Sequence, residues 1–199
     1  MLVLVFLALA ALLSHGPTAT TRSHAAPGAP VAGAATPAGP ARNDSSAKPA
    51  DPRTIPIRGG TAKERAAVRA MVKKWGQHTQ LTSITLRKGL GRYGVARLWP
   101  TGKSTIELRS GLGRGLLKYT VAHELAHAAQ AHAYRNAGFD ALRTQMNAVF
   151  GGTGLRGVEN GADCAAQLLT KKKSTVYKST CTKQQLAAAA RFLAGSTIR

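Results

Sequence analysis

Apolar residues in the second half of the chain recur every three or four positions, which predicts a series of amphipathic helices. The central helix is expected at about residues 116–136, and three shorter ones at about 140–150, 158–170 and 182–194. The central helix carries an apolar stripe made of Leu117, Val121, Leu125, Ala128 and His132. This stripe predicts that one face of the helix enters a core while the opposite face borders a cleft.

The first half of the chain shows a different pattern. Thr61 and Glu64 have the spacing of a capping box, which begins a helix that ends near Trp75. Segments rich in strand-forming residues follow at about 81–87, 92–99 and 105–109, separated by glycine and proline. This order of elements predicts an α+β fold, with a small antiparallel or mixed sheet before the helical half.

The N-terminal segment differs from both halves. Residues 2–13 are almost wholly apolar, but a helix that spans a bilayer needs about 20 residues. They fit the core of a signal peptide over residues 1–25, with an uncleaved anchor as the alternative. Residues 26–57 are rich in Ala, Pro and Gly, which predicts a disordered linker or a prosegment. A secreted protein with a folded domain at 58–199 is therefore expected.

Charge changes this picture in one respect. The 199 residues include 28 Lys and Arg but only 8 Asp and Glu, a formal net charge of +20. Such a field favours anionic partners, and for a secreted protein we expect association with cell-wall polymers or a membrane surface. Aromatic residues are sparse and no nucleic-acid recognition motif is present, so no specific nucleic-acid partner is expected.

The central predicted helix also carries a chemical motif, His123-Glu124-x-x-His127. Residues four apart share a helical face, so both imidazoles can reach one metal ion. Glu124 lies about 100° around the helix from His123, beside the metal rather than on it. This arrangement is typical of a zinc site in which the glutamate is the general base for hydrolysis.

A catalytic zinc ion needs a third protein ligand. His132 is excluded because it lies about 140° from His127 and about 180° from His123 around the helix. The remaining downstream candidates are Asp140, Glu159, Asp163, Cys164 and Cys181. Glu159 and Asp163 lie four apart on one predicted helical face, so Glu159 could bind zinc while Asp163 accepts a hydrogen bond from His123. A pair of solvated surface acids is the alternative interpretation.

The two motifs together resemble the gluzincin class of zinc metallopeptidases, and more closely the small secreted bacterial neutral zinc metallopeptidases. The similarity lies in residues 119–130 and 158–166, including Gln130 and the Ala-Asp-Cys run that ends at Cys164. It implies a zincin-like fold, one zinc ion per chain held by His123, His127 and Glu159, and Glu124 as the base. It also implies that an edge strand at 105–109, which contains Glu107, binds the substrate.

The resemblance leaves one role unassigned, the group that donates a hydrogen bond in the transition state. Tyr119, Tyr177 and His78 are candidates. Gln130 lies on the zinc face of the helix, about 20° from His123, so it could face the cleft or support a ligand.

Cys164 and Cys181 are the only two cysteines. In a secreted chain such a pair predicts a disulfide, which would join the helix of Glu159 to the last helix.

Two functions remain open at this stage. The first is a secreted, monomeric zinc endopeptidase that acts on peptide or protein substrates. The second is a non-catalytic, basic module that binds wall polymers and in which the zinc site is structural or vestigial. The high positive charge and the unassigned donor favour the second, and the His123-Glu124-x-x-His127 motif favours the first.

Overall fold

The computed structural model describes residues 4–5, 51–52, 54–172 and 180–198. Its strands are β1 (Leu4–Val5), β2 (Ile57–Gly59), β3 (Gln80–Arg87), β4 (Gly94–Leu98) and β5 (Lys103–Arg109). Its helices are α1 (Ala62–Trp75), α2 (Arg114–Ala133), α3 (Gly138–Phe150), α4 (Arg156–Thr170) and α5 (Lys183–Leu193). The chain is therefore a mixed α and β structure with a small sheet and five helices in the described part, as the pattern predicts. Most of the predicted signal peptide and linker lies outside the described residues.

The sheet has the strand order β1-β4-β5-β3-β2. Strand β5 pairs with β3 in parallel and with β4 in an antiparallel manner, so the sheet is mixed. The expectation that residues 105–109 form an edge strand is wrong, because both edges of β5 are occupied by neighbouring strands. Local sequence pattern does not fix which strand lies at an edge. On the side away from β5, β4 pairs with β1, of which the structure describes Leu4 and Val5.

Among the described residues, the helices cover one face of the sheet. Along β3 and β5 buried apolar residues alternate with more exposed polar ones. The inward residues, which include Ile84 and Ile106, share one core with Leu117 and Leu125 of α2. Ile55 and Ile57 are also buried in this core, so packing extends slightly upstream of residue 58.

Helix α2 forms the centre of the helical half, and α4 packs along it. Alanine and glycine at the contact allow the two backbones to approach closely, since larger side chains would hold them apart. A Cβ on Gly161 of α4 would lie only 3.0 Å from Nε2 of Gln130. The predicted disulfide is confirmed: Cys164 and Cys181 are bonded and connect α4 to the start of α5.

Within the described residues, no helix is both long enough and apolar enough to cross a membrane. Of the apolar run at residues 2–13, the structure describes only the backbone of Leu4–Val5. The choice between a cleaved signal peptide and an anchor therefore stays a prediction.

Candidate metal centre

Three buried side chains converge between α2 and α4. His123 and His127 lie one turn apart on α2, and their Nε2 atoms are 3.1 Å from each other. Oε2 of Glu159, on α4, lies 3.2 Å from Nε2 of His123 and 3.4 Å from Nε2 of His127. In the described chain, these three residues form a group that could hold a metal ion.

The outer nitrogen of His123 is fixed by Asp163. Its Nδ1 lies 2.8 Å from Oδ1 of Asp163, which is almost fully buried. An ionised carboxylate only accepts hydrogen bonds, so Nδ1 is the protonated nitrogen and Nε2 keeps its lone pair for a ligand. The hydroxyl of Tyr119 donates to the same carboxylate oxygen at 3.0 Å, which further fixes the position of Asp163.

His127 is held in the same way by a different group. Its Nδ1 lies 2.9 Å from Oε1 of Gln130. The amide nitrogen of Gln130 donates to the carbonyl of Val158 at 3.0 Å, so the amide oxygen is the atom that faces His127. Nδ1 of His127 is therefore also a donor, and its Nε2 presents a lone pair to the centre of the cluster.

The resulting donor set fits a divalent metal ion. With both Nδ1 atoms protonated, the two Nε2 atoms and the carboxylate of Glu159 face one another, and a metal ion or a proton held among them relieves the repulsion between their lone pairs. Ligands at 2.0–2.1 Å around a tetrahedral ion lie about 3.3 Å apart, close to the distances between these three atoms. Two imidazoles with one carboxylate form a donor set that suits zinc or another divalent first-row metal ion.

The pKa shifts of the cluster indicate that it attracts positive charge. Burial lowers the pKa of His123, but its hydrogen bonds to Asp163 and Glu159 outweigh burial, so the net shift is well upward. Burial raises the pKa of Glu159, but His127 and His123 outweigh it and hold that pKa far below its ordinary range. A positive charge is thus strongly favoured at the point where these groups meet.

Glu124 lies beside the cluster but points to the sheet. Its carboxylate is nearly fully buried, and burial raises its pKa, while the charges of His123 and His127 and a hydrogen bond from the backbone of Ala96 oppose the rise. A Cβ on Gly94 would lie 2.6 Å from Oε1 of Glu124 and 2.8 Å from a methyl carbon of Thr120. Glycine at position 94 of β4 therefore makes the space that Glu124 occupies.

The structure places the other sequence candidates elsewhere. Asp140 is exposed and pairs with Arg143, and both cysteines are in the disulfide, so none of them is a ligand. His78 lies near His132 and Gly195. The hydroxyl of Tyr119 donates to Asp163, the residue that holds the outer nitrogen of His123. Tyr177 lies outside the described residues.

Sequence reasoning missed two positions that shape the site, Gly94 and Gly161. A glycine inside a strand pattern is a signal of close backbone approach, and Gly94 begins such a pattern. Gly161 lies in a helix pattern, where glycine is unfavourable and suggests a packing reason. Neither signal identifies which side chain takes the space.

Comparison with known proteins adds no family assignment. No protein-family model, no curated protein and no solved structure matches the chain. The buried group of His123, His127 and Glu159 that could bind a metal is what the structure contributes to the question of function.

Proposed function

We propose that the protein is a zinc-dependent peptide hydrolase of the gluzincin type. The observation that carries the proposal is the convergence of three metal-binding side chains with a separate buried carboxylate, Glu124, next to them. A purely structural metal site needs ligands but no additional unliganded acid. Here the adjacent acid sits in a pocket made for it by Gly94, at the cost of a glycine in a strand.

Each residue of the site has a distinct part in this function. His123, His127 and Glu159 would hold the ion, while Asp163 and Gln130 orient the two imidazoles. Zinc, when bound, supplies Lewis-acid activation of water and of a carbonyl group. Glu124 would take the proton from the attacking water and pass it to the leaving amine. The raised pKa of Glu124 suits both steps, because a group that first accepts and then donates a proton works best when its pKa is close to the working pH.

The position of β4 supports a peptide as substrate. Its N-terminal end lies against Glu124, through Gly94 and the backbone of Ala96. Its outer edge accepts Leu4–Val5 as an antiparallel strand, opposite Leu98 and Arg97. An extended peptide can pair with such an edge through its main chain, independently of most of its side chains.

One observation favours the second candidate function, a structural metal site in a binding module. His127 is 1% exposed, Glu124 2%, and His123 and Glu159 6% each. A catalytic ion must keep a position open to water and substrate, whereas a structural ion is enclosed. The two functions therefore differ in whether the bound ion can be reached from solvent.

The disulfide supports a secreted location for either function, since such bonds persist in oxidising compartments.

The deciding experiment combines metal analysis with one substitution. We expect one zinc ion per purified chain, and cleavage of an unstructured protein that stops when a chelator is added. Glu124→Gln should keep the zinc ion and lose at least about 100-fold in cleavage rate, because a general base of this kind contributes about 10²–10⁴-fold. Zinc without cleavage would support the structural site, and full activity of the zinc-loaded variant would exclude Glu124 as the base.

A further inference from the structure

The outer face of the sheet, on the side away from α1 and α2, is strongly basic. Successive residues of a strand point to opposite faces, so the outward set follows from the buried alternation of β3 and β5. The cations on this face, which we call the basic sheet face, are Arg58, Arg87, Arg97, Lys103 and Arg109. All are exposed or half-exposed, whereas the opposite face is filled by the core.

Strand register brings like charges together on this face. Arg87 of β3 lies directly opposite Arg109 of β5, and Arg58 of β2 lies opposite Thr85, the outward residue of β3 next to Arg87. Like charges placed directly opposite each other destabilise a sheet. The fold alone therefore gives no reason for this pairing, and a ligand of opposite charge would supply one.

The basic sheet face has a single acidic member, Glu107. Its carboxylate lies 3.4 Å from Arg87 and 3.6 Å from Arg97, where it holds both guanidinium groups above the sheet. Within the described chain, the structure gives no hydrogen bond or ion pair to the side chains of Arg58, Lys103 and Arg109.

Two arginines of α1, in contrast, donate side-chain hydrogen bonds to the backbone of the domain. Arg65 and Arg69 of α1 donate to the backbone carbonyls of Gly59, Gly60 and Ile55 and so attach the helix to the start of the domain. Arg58, Lys103 and Arg109 have no such contact within the described chain, whereas Arg87 and Arg97 pair with Glu107.

We propose that the basic sheet face binds an extended, base-free phosphodiester polymer of the kind found in cell walls. Same-face residues repeat about every 6.6 Å along a strand, and adjacent strands are about 4.8 Å apart. Arg87 and Arg109 are neighbours across this grid and Arg58 lies one row away. These three guanidinium groups can meet adjacent phosphates, because guanidinium matches phosphate oxygens in a two-pronged manner. The side chains of Ser83, Thr85 and Thr105 lie between the cations and supply hydroxyl groups for the linking units.

The scarcity of aromatic residues distinguishes this ligand from single-stranded nucleic acid. Proteins that bind single strands stack the bases on aromatic side chains. Tyr93, next to the start of β4, is 41% exposed, but Trp75 and Trp99 are not among the exposed large side chains. A surface that contacts only the backbone of a polymer suits a polymer that has no bases to stack.

The test uses the full chain and a short synthetic poly(glycerol phosphate), with binding measured at several salt concentrations. Arg58→Gln with Arg109→Gln removes two charges from the basic sheet face. Lys63→Gln with Lys183→Gln removes two exposed charges from the helical side and is the matched control. Each lost phosphate contact should reduce the slope of log affinity against log salt by about 0.7. We expect the first variant to lose about 1.4 in slope and at least about tenfold in affinity in low salt, and the control to lose less than about twofold.

A third variant gives an effect of the opposite sign. Glu107→Gln removes the one acid of the face and should tighten binding. Equal losses in the two double variants would show that net charge alone is responsible and would overturn the proposal, as would unchanged or weaker binding by Glu107→Gln. Tighter binding to a single-stranded oligonucleotide or to anionic vesicles than to the polymer would also overturn it.

Discussion

The amide oxygen of Gln130 lies 2.9 Å from Nδ1 of His127, in the position that the carboxylate of Asp163 occupies for His123. The two histidines are thus supported by different chemistry, a neutral amide from the same helix and a carboxylate from α4. Both supports leave Nε2 as the metal-facing atom. Gln130 is fully buried, and its amide nitrogen is held by the Val158 carbonyl, so its orientation is fixed.

Replacing Gln130 should therefore weaken metal binding without removing a ligand. Gln130→Met keeps the volume but loses the acceptor, and zinc affinity should fall by about 10- to 100-fold, as measured by competition with a chromogenic chelator. Gln130→Glu keeps an acceptor for His127 and should retain more of the affinity. Gln184→Met, at an exposed position of α5, is the control for the added thioether. Equal affinities for the Met and Glu variants would argue against an orienting role.

Gly94 should matter for catalysis but not for metal binding. A methyl group at this position would collide with both Oε1 and Cγ of Glu124, so Gly94→Ala should displace the carboxylate. We expect kcat to fall by at least about tenfold, since a misplacement of about 1 Å can cost about 100-fold, while the zinc content stays at one ion. Gly91→Ala is the control, because a Cβ there meets open space. An active Gly94→Ala variant would mean that Glu124 does not need its observed position.

The disulfide should stabilise the metal site as well as the fold. It joins α4, which carries Glu159 and Asp163, to the segment before α5. Cys164→Ala with Cys181→Ala should lower the free energy of unfolding by about 3 kcal/mol and reduce zinc affinity. Thermal unfolding without chelator and with chelator measures the loss of stability and the part of it that depends on zinc. The reduced wild-type protein should behave like the double variant; if neither differs from the oxidised protein, the bond contributes no stability.

Glu64 should make stability depend on pH in the acidic range. Its carboxylate accepts hydrogen bonds from the backbone of Thr61 and of Gly111, which lower its pKa to about 2. A depressed pKa contributes stability above the ordinary value of 4.5, and this contribution is lost as the pH falls towards 2. Glu64→Gln should cost about 1 kcal/mol at pH 7, and the difference from wild type should fade between these two pH values.

Urea unfolding at several pH values measures this difference. Asp140→Asn replaces an exposed acid in the first turn of α3 and should cost less than Glu64→Gln at pH 7. A Glu64→Gln deficit that is the same at pH 7 and at the acidic end would show that the lost hydrogen bonds, not the charge, explain it.

Local spacing made several features predictable from the sequence. The capping box expected at Thr61 and Glu64 is present at the start of α1, because a capping box involves residues only three apart, and α5 begins with one as well. Likewise, His123 with His127, and Glu159 with Asp163, share a helical face by the geometry of one helix turn. Helix ends were less predictable: α2 ends at Ala133 rather than near residue 136, since the final turn depends on contacts with other elements.

Relations between distant segments required the tertiary structure. The sequence by itself determined which side chains share a helical face, since helix geometry fixes that within a few residues. Only the tertiary structure decided that β5 is central and β4 lies outside it, and that the hydroxyl of Tyr119 reaches Asp163. It also decided that Gly94 makes room for Glu124 and that the amide nitrogen of Gln130 donates to the carbonyl of Val158 in α4. These outcomes depend on long-range strand pairing and on which side chains fill the space between packed elements, and neither is encoded in a local periodicity.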